Sequence, residues 1–215
     1  MLEGPHYGPK SGNAPRLLMV LCHGRGADGI DLIDLALHWS TVLPDAKFIA
    51  PNAPHPCDGS GFGREWFDIS DRSRAHLQAG VEVAAQELNQ FIDTHLAELG
   101  LPPWQVALMG FSQGAMTALH AAARRSVSPR AVISFSGGLL QPDLPPRNGW
   151  PPILMVHGQD DTVVPPGATK AAVRSLENAG AYVESLLQPG LAHKFDADAV
   201  DHASRFLQRW ASQDV

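Results

Sequence analysis

Cationic side chains are scarce in this chain. Sixteen Lys and Arg stand against 22 Asp and Glu in 215 residues, leaving a net charge of −6. A surface of that sign repels phosphate backbones, so nucleic acid is not an expected partner. Cysteine is almost missing: Cys22 and Cys57 form no Cys-x-x-Cys pair and no disulfide framework. Long apolar runs are missing too. The longest unbroken one is Leu17–Cys22, far short of the roughly 20 residues that span a bilayer. The first fifteen residues lack the basic start and apolar centre of a secretory leader. They read as an irregular N-terminal segment. No histidines or acids fall at metal-ligand spacing, so neither a metal nor a cofactor is expected. Together these gaps point to a cytoplasmic protein with no integral membrane segment.

What is present is ordinary globular material. Hydrophobic residues make up 44% of the chain, enough for a continuous core without disulfides. At about 150 residues per domain the length suggests a single domain over 1–215. Segments 16–22, 46–50, 105–109, 130–135, 153–156 and 182–187 read as strands, the first a continuous apolar run as expected of a strand buried on both faces. Helical patterns separate them, at 31–40, around 77–96, after residue 114, at 166–179 and near the C-terminus. In the long one, Leu77, Val81, Ala84, Leu88, Phe91 and Leu96 share a face, with Gly100 and Pro102 as the stop. In the last, Ala199, Ala203, Phe206 and Trp210 are the expected buried positions. Residues 51–72 read as loop, rich in Pro, Gly and Asp. Strand–helix alternation of this kind makes an α/β fold, a mostly parallel sheet with helices on both faces. Ligands then bind beyond the carboxyl ends of the strands.

Two glycine motifs sit at such ends. Gly24-Arg25-Gly26-Ala27-Asp28-Gly29 spells G-x-G-x-x-G after the first strand, as a nicotinamide-dependent oxidoreductase requires. A ribose-binding acid should then close the second strand. That strand runs instead into Pro51-Asn52-Ala53-Pro54. The dinucleotide reading is therefore the weaker one, kept as an alternative beside a non-catalytic binding module.

The second motif is Gly110-Phe111-Ser112-Gln113-Gly114, a G-x-S-x-G between a buried strand and a small-residue helix. That is the setting of a nucleophile elbow, although a serine capping a helix would also fit. A serine hydroxyl needs a base and an orienting acid, expected in the order Ser, acid, His. Of the two histidines beyond the fifth strand, His202 lies inside the last helix, and His193 lies between the last strand and that helix. His193 is the base by position. The acid belongs in the loop after the fifth strand, where Asp160 and Asp161 are adjacent and spacing leaves both open. An oxyanion would be held by the backbone N–H of Gln113 and by one within His23-Gly24-Arg25-Gly26.

Taken with His157-Gly158-x-x-Asp161, Gly190-x-x-His193 and Trp66-Phe67-Asp68, these motifs make a set. The chain resembles the carboxylesterase/lysophospholipase/acyl-protein thioesterase family of α/β-hydrolases from about residue 16 to 210. The resemblance implies Ser112 as nucleophile, His193 as base and Asp161 as acid. It also implies the amides of Arg25 and Gln113 as the oxyanion hole. The family often has Leu or Tyr where Arg25 stands, so the Arg side chain is a departure. Trp66 and Phe67 look like a family signature whose role is either structural or substrate contact. The implied activity is a serine carboxylesterase acting on short to medium acyl esters, with thioesters and lysophospholipids as alternatives. The connection 137–152 is too short and proline-rich for a helical cap, so no cap domain is expected. The partner implied is a small-molecule ester or thioester, with a homodimer left open.

Overall fold

The fold is built on seven strands in the order β1-β3-β2-β6-β7-β8-β9. They are β1 (His6–Tyr7), β2 (Leu17–Cys22), β3 (Ala46–Ile49), β6 (Val106–Phe111), β7 (Ala131–Phe135), β8 (Ile153–Gly158) and β9 (Val183–Gln188). A two-stranded hairpin, β4 (His55–Pro56) with β5 (Arg64–Glu65), stands apart from them. The helices are α1 (Ile30–Ile33), α2 (Leu35–Trp39), α3 (Arg74–Leu99), α4 (Gln113–Arg124), α5 (Gly167–Asn178) and α6 (Ala197–Trp210). The computed structural model describes residues 2–57, 63–141, 144 and 149–212. Residues 58–62 of the expected loop, and 142, 143 and 145–148 of the expected uncapped connection, lie outside them.

Every pairing from β3 to β9 is parallel, so these strands end at one edge of the sheet. Alternation along each strand divides the core in two. Leu18, Val20, Val106, Leu108, Val132 and Met155 face one way. There they meet Val81, Leu88 and Ile92 of α3, Ala118 of α4 and Leu176 of α5. Met19, Leu21, Met109, Ile133 and Leu154 face the other way, against Leu32 of α1, Trp39 of α2 and Phe206 of α6. Strands buried on both sides explain why the sequence shows continuous apolar runs rather than alternation. Helix α3 starts at Ser73, whose hydroxyl accepts from the His76 N–H, and stops at Gly100 in the left-handed conformation.

The structure departs from the sequence expectations at four places. The N-terminal segment is not wholly irregular: β1 adds an antiparallel edge, pairing His6 with Ile49 and Tyr7 with Phe48. Part of 51–72 is the β4–β5 hairpin, where the Arg64 guanidinium donates to the carbonyls of Ala53 and Pro54. The helix expected over 31–40 is two short pieces, tightened at Asp34, whose carbonyl accepts from Leu37 N–H three residues on. Trp210 is not buried: it is 39% exposed and packs its ring 5.5 Å from that of Tyr182.

Candidate active site

Strand β6 delivers Ser112 to the carboxyl edge of the sheet. Its φ of 53° lies in a region that side chains disfavour, and α4 begins at the next residue. So sharp a turn forces neighbouring chain together. A Cβ on Gly114 would stand 2.2 Å from the Cys22 carbonyl oxygen, and one on Gly24 would meet the Phe111 ring at 2.9 Å. Gly24 is thus packed against the nucleophile turn. The helix after Gly24–Gly29 is only four residues long, so it offers no developed N-terminus for a pyrophosphate.

Strands β8 and β9 supply the other two groups. Ser112 Oγ lies 2.9 Å from His193 Nε2, and His193 Nδ1 lies 2.6 Å from Asp161 Oδ2. Asp161 Oδ1 accepts from the amides of Val163 and Val164, each at 2.9 Å. Burial on its own would raise the Asp161 carboxyl. The hydrogen bonds from His193, Val164 and Val163 outweigh it and hold the group below its ordinary value. Asp160, the other aspartate, has an exposed side chain, while its amide donates to the Leu191 carbonyl and pins the loop that carries His193. Spacing left these two acids open; side-chain direction separates them.

The residues of the expected oxyanion hole are tied together through β5. Gln113 is the first residue of α4, so its N–H has no partner within the helix. Its carboxamide accepts from Trp66 N–H at 2.8 Å and donates to Phe67 O at 2.7 Å. The Trp66 indole donates to His23 O, and Gly26 N–H donates to Arg64 O. Arg25 Nε meets Glu65 Oε2 at 2.6 Å, with Glu65 almost wholly buried. Trp66 and Phe67 are only 1% and 4% exposed, placed to brace this loop. His23 is structural as well: Nδ1 faces the Gly24 carbonyl and Nε2 accepts from Ala53 N–H. Burial pushes its pKa down.

The sequence did not announce the aromatic backing of His193. Phe111 lies 4.9 Å from the His193 ring, Phe195 packs edge-on to Phe111, and Phe135 stacks on Phe195 at 5.0 Å. The available signal was an aromatic residue, Phe195, two residues after His193. The carboxamide of Gln113 went unannounced too, since the elbow motif gives a role only to that residue's amide.

A model of the phospholipase/carboxylesterase family matches residues 10–211. The chain belongs to this family. Among solved structures of the α/β-hydrolase fold, that of esterase PE8 is 38% identical, covering 97% of this chain and 99% of its own, with a TM-score of 0.89. Esterase YpfH of Escherichia coli is 25% identical over 209 residues, 96% of this chain and 89% of the relative. Acyl-protein thioesterase 1 of Schizosaccharomyces pombe is 28% identical over 208 residues, 88% and 89% of the two chains. Within the phospholipase/carboxylesterase family the chain is a carboxylic ester hydrolase. Among the described residues no helix is long and apolar enough to cross a membrane.

Proposed function

We propose that this chain is a cytoplasmic serine carboxylesterase whose triad is Ser112, His193 and Asp161. The observation that carries the reading is the unbroken hydrogen-bonded series from Ser112 Oγ through both nitrogens of His193 to Asp161. Ser112 Oγ attacks the ester carbonyl carbon while His193 Nε2 takes its proton. The amides of Arg25 and Gln113 receive the developing oxyanion. The alcohol leaves with the proton held by His193, giving an acyl-enzyme. Water then attacks this ester, again losing its proton to His193, and the acid departs as Ser112 is restored. Trp66 and Phe67 take a structural part in this scheme, because their side chains are buried and their backbone N–H and carbonyl hold Gln113.

The substrate is a soluble ester of a short to medium acyl chain. Among the described residues of 137–152 there is no helix or strand to cover the serine, so the acyl chain lies in an open groove. Each CH₂ buried there contributes about 0.8 kcal/mol until the groove is full. A thioester would pass through the same steps, and the thioesterase among the relatives supports that second reading. Assay of p-nitrophenyl esters from acetate to palmitate tests the acyl range. Butyrate to octanoate should lead, with no jump in rate at the micelle point. Palmitate turnover rising sharply there would mean a lid or deep channel and would defeat the short-chain reading.

A further inference from the structure

Asp161 Oδ2 lies against two imidazoles. Besides His193 Nδ1 at 2.6 Å, the Nε2 of His157 lies 3.1 Å away, and both the His157 and Asp161 side chains are wholly buried. The same Nε2 is 2.8 Å from the Val164 carbonyl oxygen. Neither oxygen can donate, so the proton sits on Nε2; it is directed at the Val164 carbonyl, with Oδ2 lying to its side. On the far side of the ring, Nδ1 is 2.7 Å from Thr169 Oγ1 of α5. That hydroxyl also reaches the Gly137 carbonyl at the end of β7, 2.8 Å away. His157 therefore joins β8, the acid loop, α5 and the β7 end at one buried point. Among the described residues, the titratable groups within 4 Å of this carboxylate are His193, which is bonded to it, and His157, which lies beside it.

Resting on the triad reading above, we propose that His157 is a positioning residue for Asp161. Its Nε2–H holds the Val164 carbonyl, and with it the turn whose amides fix the carboxylate, while the positive end of that N–H beside Oδ2 offsets part of the oxygen's pull on His193. With that donor gone, Oδ2 would act on His193 alone. The His193 imidazolium would then be favoured, and the neutral base would be lost at higher pH. The carboxylate would also be freer to turn away from His193.

Two near-isosteric substitutions separate the halves of the ring. The side-chain amide of His157→Gln reaches where Nε2 stands, toward Asp161. That of His157→Asn reaches only where Nδ1 stands, toward Thr169. Both are purified, their thermal unfolding is measured, and kcat and KM for a soluble p-nitrophenyl ester are followed from pH 5 to 9. The Gln variant should keep kcat within about threefold and leave the acid limb in place. The Asn variant should lose about ten- to a hundredfold in kcat as the acid turn loosens and the carboxylate loses the N–H beside it. Its KM should change little, and its acid limb should move up by about half a pH unit or more. Equal losses in both variants with unmoved limbs, or full activity in the Asn variant, would overturn the proposal.

Should the Asn variant fail to fold, unmutated protein labelled with ¹⁵N-histidine gives the answer. Phosphonylation of Ser112 should shift the His157 Nε2 resonance through the shared oxygen, and an unmoved resonance overturns the proposal. An unmutated enzyme that neither hydrolyses esters nor reacts at Ser112 would instead bring down the triad reading, and this proposal with it.

Discussion

Ser112 and Ser136 both hold a positive φ at the tips of neighbouring strands, 53° and 51°. The ladder continues past each strand end, Ser112 N–H donating to Phe135 O and Ser136 N–H to Val156 O, both at 2.9 Å. A non-glycine residue held in such a region costs on the order of 1–3 kcal/mol. At Ser112 the turn sets the hydroxyl 2.9 Å from His193 Nε2, so strain is retained where the proposed chemistry needs it.

The first expectation follows from that strain. Ser112→Gly should abolish hydrolysis while raising stability against urea by about 1 kcal/mol, strain relief exceeding the extra flexibility of the unfolded chain. Ser136→Gly should stabilise similarly, since it also removes a buried hydroxyl with no hydrogen-bond partner. Lower stability in both variants would mean that neither turn is strained.

Asp161→Asn should cut kcat by about ten-thousandfold, because the amide cannot hold the imidazole in its productive tautomer. Asp160→Asn, changing an exposed side chain, should stay within about twofold, as surface substitutions usually do. Kinetics of the two purified variants on one ester decide it. The reverse ranking would mean that His193 is oriented by the other carboxylate.

Much of this site was legible in the sequence, because its signals are local. An apolar run entering G-x-S-x-G and a small-residue helix leaving it are enough to locate Ser112. The single histidine between β9 and α6 locates His193. The illegible parts rest on contacts distant along the chain. His6 pairs with Ile49, and Gln113 grips Trp66 and Phe67, with no periodicity to announce either. Asp160 and Asp161 differ only in where their side chains point, which spacing does not encode. Trp210 fits the apolar stripe of α6 yet lies at its final residue, partly exposed beside the Tyr182 ring, while Phe206 and Ala211 take the buried positions.

Gln113→Leu tests the brace beneath the oxyanion loop. It leaves Trp66 N–H and Phe67 O unpaired in a buried setting, at a cost of about 1–3 kcal/mol each. Stability should fall by at least that for one group, and kcat should drop while KM stays nearly constant. Unchanged kcat in the folded variant would show that the carboxamide does not position the amide beside it.

Acid should destabilise the protein well before its carboxylates titrate. Burial, with the Arg124 charge beside it, pushes the His120 pKa down to about 4, so the folded state keeps this ring neutral. The unfolded chain takes up the proton near pH 6.5, so stability falls as pH drops from about 6.5 to 4, by about 3 kcal/mol in all. His23, also lowered by burial, acts in the same direction. Urea unfolding at intervals across this window should show the slope in the native protein and a shallower one in His120→Gln. Equal slopes would remove His120 from the account.

The central claim is that Ser112 is an activated nucleophile, and covalent labelling tests it most directly. The protein is treated with a fluorophosphonate at pH 7.5, and the intact mass and the peptide map are read alongside those of Ser112→Ala. One phosphonyl group should add per chain, on Ser112, with hydrolysis lost in step and the Ser112→Ala protein unlabelled. Failure of the native protein to label, or labelling at another residue with Ser112→Ala keeping more than a tenth of native kcat, would contradict the claim.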